Sequence, residues 1–240
     1  MNFRKNGVKF IFNMIFNYIS SRREGDILFT PINKNFSKKF GNNRWSSYSI
    51  KLQRDVHLSS NLEYDNWLSV ECNPFIINFC EQPFEIKQVI DEKICTSIPD
   101  MWILYADGTE EIREVKYERD IKEIRVQRQI KIQQTYCKDK GIAHRVITDK
   151  DIRSNQNLLS NYKTLVMILK NHSSYDLGIH DSLIDLINFN ALSIEYLALK
   201  LSIPVNQLIP NVAFLLFNGT ISADLNHNFF GKNLEVYKND

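Results

Sequence analysis

No two cysteines in this chain are spaced C-x-x-C. Cys72, Cys80, Cys95 and Cys137 stand apart, and no nearby histidine completes a zinc-binding pattern. That argues against a structural zinc and predicts four reduced, mostly buried thiols in a reducing cytosol. Long apolar runs are also lacking: no stretch reaches the roughly 20 residues that a membrane span requires. The nearest approach is KFIFNMIFNYIS, Lys9 to Ser20, which follows Arg4 and Lys5 and faintly resembles a signal peptide. Asn13 and Asn17 interrupt it, no Ala-x-Ala site follows, and apolar residues at 10, 11, 14, 15, 18 and 19 predict an amphipathic helix instead. There is no internal repeat and no low-complexity tract.

Net charge is low as well, +2 over 240 residues, but it is unevenly spread. Residues 1–55 carry eleven Lys and Arg against three acids, an excess of eight, which leaves residues 56–240 at −6. A basic N-terminal quarter interleaved with Phe36, Phe40, Trp45 and Tyr48 is the pattern expected of a nucleic-acid contact; its bland alternative is a solvated basic surface. A hydrophobic fraction of 43% with 24% charged residues is sufficient for a globular core.

Along the chain, residues 24–55 read as loops and short strands. HLSSNLEYDNWLSVECNP (57–74) reads as a helix capped by Ser60 or Asn61, with Glu63 in its first turn and Asn73-Pro74 as its stop. FIINFCEQPFEI (75–86) reads as a strand bent at Pro83. Met101 to Ala106 is apolar on both faces and predicts a buried strand; Asp107-Gly108 predicts a hairpin turn, with Glu110 to Tyr117 returning. A long polar helix is expected from Tyr117 to Lys140, closed by Gly141. HRVIT (144–148) is a short strand, and Asp149 to about Asn171 is helical. After a polar break, three amphipathic patches and short strand-like pieces outline a winged helix.

The hairpin carries the chemistry. Residues two apart on a strand share a face, so Ile112, Glu114 and Lys116 point one way and Arg113, Val115 and Tyr117 the other. Across the Asp107-Gly108 turn, Asp100 falls close to Glu114. Two carboxylates on a buried sheet repel and lose hydration. A divalent cation relieves both costs, and Mg2+ binds through one or two carboxylates while leaving room for phosphate oxygens. The alternative is a surface Glu–Lys pair beside a strand-capping aspartate, worth little.

Pro99-Asp100 followed by Glu114-Val115-Lys116 resembles the PD-(D/E)xK signature of restriction-endonuclease-like nucleases. HLSSNLEYDNWLSVECNPFIINFCEQPF, SIPDMWILYADGTEEIREVK and YCKDKGIAHRVITDKDI together resemble the TnsA-type endonuclease subunit of heteromeric transposases, well over residues 50–155 and loosely from 178 onward. The resemblance implies an α/β fold: a mixed β-sheet core flanked by helices, then a small, mostly helical winged-helix-like domain. It implies Glu63, Asp100, Glu114 and Lys116 as catalytic residues. Glu63, Asp100, Glu114 and the Val115 carbonyl would hold Mg2+, with Mn2+ able to substitute. Gln82, in Glu81-Gln82-Pro83, is expected to be structural or close to DNA.

The domain expectation is a basic segment at 1–54, a nuclease core at 55–155, a linking helix and boundary at 156–177, and a partner-binding domain at 178–240. The implied function is cleavage of the 5′, non-transferred strands at transposon ends. The implied partners are double-stranded DNA, a DDE-type, TnsB-like transposase and a TnsC-like AAA+ ATPase, in a bacterial cytosol and without a membrane. The last domain is expected to bind the ATPase, because VNQLIPNVAFLLFNG contains no Lys or Arg to neutralise phosphates. Two alternatives stay open: a non-catalytic DNA-binding adaptor, and a stand-alone restriction or repair nuclease.

Overall fold

The computed structural model describes residues 29–32, 44–90, 92–172 and 175–239. The amphipathic segment expected at Lys9–Ser20 and most of the basic segment 1–54 lie outside these residues. The chain divides into two compact units, one built from described residues between 29 and 154 apart from Cys72–Pro74, the other from Cys72–Pro74 and 155–239.

In the first unit, strands β1 (Trp45–Ser49) and β2 (Arg54–Leu58) form an antiparallel hairpin, followed by helix α1 (Asn61–Glu71). The expected helix at 57–74 therefore starts later. Val56 and Leu58 are buried while Asp55 and His57 are exposed, the period of two that belongs to a strand. Ser60 caps α1, its hydroxyl accepting from the Glu63 N–H at 3.1 Å.

The central sheet has the order β3-β6-β7-β8, comprising β3 (Ile76–Glu81), β6 (Met101–Tyr105), β7 (Glu110–Lys116) and β8 (Ala143–Thr148). The first three are antiparallel neighbours, and β8 joins β7 in parallel through the crossover helix α2 (Ile124–Lys140). The β6–β7 turn closes on Gly108 at φ +85°, which a side chain would strain. Helix α2 is shorter than expected because a 3-10 turn at Glu118–Asp120 precedes it; it ends at Gly141 with φ +69°, as the sequence predicts.

Both faces of β7 are covered. Arg113 donates to the Asn66 side chain of α1 at 3.1 Å, whereas Glu114 accepts from α2. The neighbouring β6 is likewise covered on both faces, which explains its apolar character: Met101, Trp102, Ile103 and Leu104 are all buried. Between β3 and β6 an unforeseen hairpin, β4 (Ile86–Ile90) with β5 (Lys93–Ser97), packs against α2. Pro83 ends β3, in keeping with the expected bend. A one-turn helix, α3 (Asp149–Ile152), closes the unit, held by a Thr148–Asp151 capping box.

In the second unit, α4 (Gln156–Lys170), α5 (Leu177–Leu186), β9 (Leu192–Ser193), α6 (Ile194–Leu201), α7 (Val205–Phe217), β10 (Ile221–Ser222) and β11 (Glu235–Lys238) follow in order. The helix expected from Asp149 is thus broken at Ser154-Asn155, and Asn155 caps α4 by accepting from the Leu158 N–H. The strands make a three-stranded antiparallel sheet, β10-β11-β9. The buried Asn161 ties α4 to the loop before β11: its amide donates to the Leu225 and Asn228 carbonyls, and its oxygen accepts from the Phe230 N–H. Among the described residues no single helix is long and apolar enough to cross a membrane, and all four cysteines carry free thiols.

Candidate active site

The register of the β6–β7 hairpin pairs Met101 with Arg113, which sets Asp100 beside Glu114. Asp100 Oδ2 accepts the Val115 backbone N–H at 2.7 Å, so the side chain completes the ladder where β6 begins. Lys116 follows at the end of β7. Its ammonium donates to Glu114 Oε1 and to the Val115 carbonyl at 3.3 Å, and lies 3.7 Å from Asp100 Oδ2. A cation thus stands where two carboxylates and a carbonyl converge.

Glu63 approaches from α1. Its carboxylate accepts from the Ser59 N–H at 2.9 Å and the Ser60 hydroxyl at 3.1 Å, the bonds of a helix-capping acid. It nonetheless feels the charges of Asp100 and Lys116. Gln82 links the two segments. Its N–H donates to the Asp100 carbonyl at 3.1 Å, and its amide to the Ser59 hydroxyl at 3.3 Å. It does so at φ +43°, a left-handed conformation uncommon for glutamine.

Electrostatics follow from burial. Glu114 has no exposed surface, and desolvation, together with the Asp100 charge, pushes its carboxyl up to about 8 against the pull of Lys116. Desolvation followed by the Asp100 charge brings Glu63 to about 7. Asp100 is raised by desolvation, although Lys116 and the Val115 N–H oppose it. Burial disfavours the Lys116 ammonium, but Asp100, Glu114 and Glu63 outweigh it and hold lysine above its ordinary value. Three carboxylates share one cation, and the site is short of positive charge.

The donor set is one of hard oxygens, as Mg2+ or Mn2+ prefers. Among the described residues no three acidic, histidine or cysteine side chains stand close enough to grip a metal as they are. The reason is visible: the Lys116 ammonium occupies the point of convergence, and Glu63 is turned toward its cap. The oxygens contacted by the ammonium are those of Asp100, Glu114 and Val115, the same groups expected to bind metal. A divalent cation suits them by charge and by donor type, once the lysine moves aside.

Sequence reasoning missed what surrounds Glu114. Gln129 donates to its Oε1 and Gln133 to its Oε2, both from α2. Their one signal is a spacing of four within a polar helix. A cleft of about 510 Å3 opens beside them, lined by Gln82, Ser97, Ile98, Arg125, Arg128 and Gln129 among others. Arg125 and Arg128, on the helix that the sequence makes long and polar, are exposed and line this cleft.

Residues 73–149 match the family model described as TnsA-like endonuclease N terminal. The match runs from the approach to β3 through β8 and includes Asp100, Glu114 and Lys116; Glu63 lies before it. No curated protein matches the chain. Residues 73–149, which build the central sheet, are thus similar to the N-terminal domain of TnsA-like endonucleases.

Proposed function

We propose that this protein is a metal-dependent DNA endonuclease subunit of a heteromeric transposase, cutting the 5′, non-transferred strands at transposon ends. The observation that carries this reading is the convergence of Asp100, Glu114 and the Val115 carbonyl on the Lys116 ammonium in an endonuclease-like domain, with Glu63 near enough for its charge to be felt. Asp100, Glu114 and the Val115 carbonyl would hold Mg2+, with Glu63 binding it directly or through water. When bound, the ion supplies a more acidic water and offsets charge on the phosphate.

The chain's own groups supply the rest. Lys116 reaches both Asp100 and Glu114, so its ammonium can orient the attacking water and balance the charge building on the phosphoryl oxygens. Water adds to phosphorus, the bond to the 3′ oxygen breaks, and that oxygen gains a proton; the products are a 5′-phosphate and a 3′-hydroxyl. Arg125 and Arg128, which line the cleft, would neutralise backbone phosphates on one side of the cut.

The second unit fits a winged-helix-like, partner-binding domain. Its order of helix, short strand, two helices and two strands supports that architecture, and the absence of Lys or Arg from α7 favours a protein partner, such as an AAA+ ATPase, over DNA. The deciding experiment is a calorimetric titration of Mn2+ into the full chain and Asp100→Ala with short duplex DNA present. Saturable binding lost in the variant is expected. Its absence from both proteins would replace this reading with that of a non-catalytic adaptor.

A further inference from the structure

Gln129 and Gln133 lie one turn apart on α2, so their side chains share a face. That face meets Glu114. Gln129 Nε2 donates to Glu114 Oε1 at 2.5 Å, and Gln133 Nε2 donates to Oε2 at 2.6 Å. The second N–H of Gln133 serves Ser97 Oγ at 2.9 Å. Its carbonyl oxygen faces His144 Nε2, on β8, at 3.0 Å.

Gln133 is fully buried, and its two donors and its acceptor are all engaged. In the ionised form that would hold a metal, Glu114 only accepts, so the amide nitrogen faces it. The amide oxygen must then face β8, and His144 must carry its proton on Nε2. One orientation satisfies all three groups. The strand pairing places His144 opposite Ile112, two residues from Glu114 on the same face, so the arrangement is built into the sheet register.

The chemistry of the donors is informative. Had the need been only to bury a negative charge, a second cation would serve better. Two neutral amides aim the carboxylate without cancelling its charge, as a metal ligand requires. We infer that Gln133, with Gln129 beside it and His144 behind it, is a positioning residue that fixes which Glu114 lone pairs face Asp100. This inference rests on the endonuclease reading, because it assigns Glu114 to a divalent cation.

The test is Mn2+ titration of the full chain by calorimetry and electron paramagnetic resonance, with thermal melting of every variant. Gln133→Leu should weaken Mn2+ binding by about 10–100-fold. Gln129→Ala and His144→Ala should weaken it less, and cleavage by all three should recover at saturating Mn2+. Folded variants that bind Mn2+ like the wild type, while Asp100→Ala has lost it, would overturn the positioning role and leave the endonuclease reading intact. A wild-type chain that binds no Mn2+ would overturn both. Gln129 and His144 are only half-buried, so those two variants decide the matter if Gln133→Leu does not fold.

Discussion

Lys116→Met separates holding a metal from using it. Methionine keeps much of the lysine stem and loses the ammonium. In the structure that ammonium lies 3.7 Å from Asp100 Oδ2 and 3.3 Å from the Val115 carbonyl, and it is bonded to Glu114. At an effective dielectric of about 20, one such attraction is worth about 4 kcal/mol. Most of it is offset, because burying the ammonium is itself costly and a carboxyl deprived of its cation takes up a proton. The net loss of folding stability should be about 1–3 kcal/mol, which a domain of ordinary stability survives.

Metal binding should respond in the opposite sense. The lysine and a divalent cation compete for the same oxygens, so Lys116→Met should bind Mn2+ at least as tightly as the wild type, whereas Asp100→Ala should not bind it. Cleavage should nevertheless fall by roughly 10²–10⁴-fold, the usual worth of a group that handles the attacking water. That corresponds to about 3–5 kcal/mol in the barrier. Calorimetry supplies the first quantity, and single-turnover cleavage in a reconstituted transposition reaction supplies the second. If Lys116→Met loses Mn2+ as Asp100→Ala does, the lysine is a prop for the carboxylates and the reasoning fails. Cleavage at the wild-type rate would refute it equally.

Three further outcomes are expected. Replacing both Arg125 and Arg128 with alanine should weaken binding to duplex DNA and flatten its salt dependence by about 0.9 for each phosphate no longer neutralised, as measured by titration at several salt concentrations. Glu81→Ala should cost about 3 kcal/mol in urea unfolding, because it strips a two-point partner from Arg54, both bonds 2.7 Å long; the figure sits at the low end of the range because Arg54 is one-third exposed and rehydrates. His180 is buried against Phe214, and desolvation lowers its pKa although Asn211 lies near enough to oppose it. The unfolded chain therefore takes up this proton first as pH falls, so the stabilisation is present above about pH 6.5 and is lost below it. Melting at pH 7.5 and 5.5 should show a larger drop for the wild type than for His180→Phe.

Elements with strong local chemistry are readable from sequence. The β6–β7 hairpin is legible because Asp107-Gly108 separates an apolar run from its return, and α2 ends at Gly141 because only glycine reaches φ +69° without strain. The β4–β5 hairpin is not, since its exposed face sets Val89 and Ile94 beside Lys87 and Thr96, so apolar residues stand on both faces and hydropathy does not alternate with burial. The start of α1 misleads for a related reason. Leu58 and Leu62 are spaced as on a helix, but Leu58 is buried on a strand that pairs it with Trp45, a partner no helical period can reach.

The candidate site divides along the same line. Asp100, Glu114 and Lys116 lie within one hairpin, so strand periodicity and one turn suffice to bring them together. Glu63 joins them from another element, and its position in the first turn of α1 has a sufficient local cause in the Ser59 and Ser60 bonds. No local rule distinguishes that acid from any other cap; only the family resemblance singles it out. Gln129 and Gln133 are harder still. Glutamine is at home on any solvated helix, and a spacing of four is as common outside as inside. Only the crossover from β7 through α2 to β8 turns that face inward onto Glu114. What surrounds a ligand is chosen by topology, and a chain read in order shows the ligand before it shows the groups that aim it.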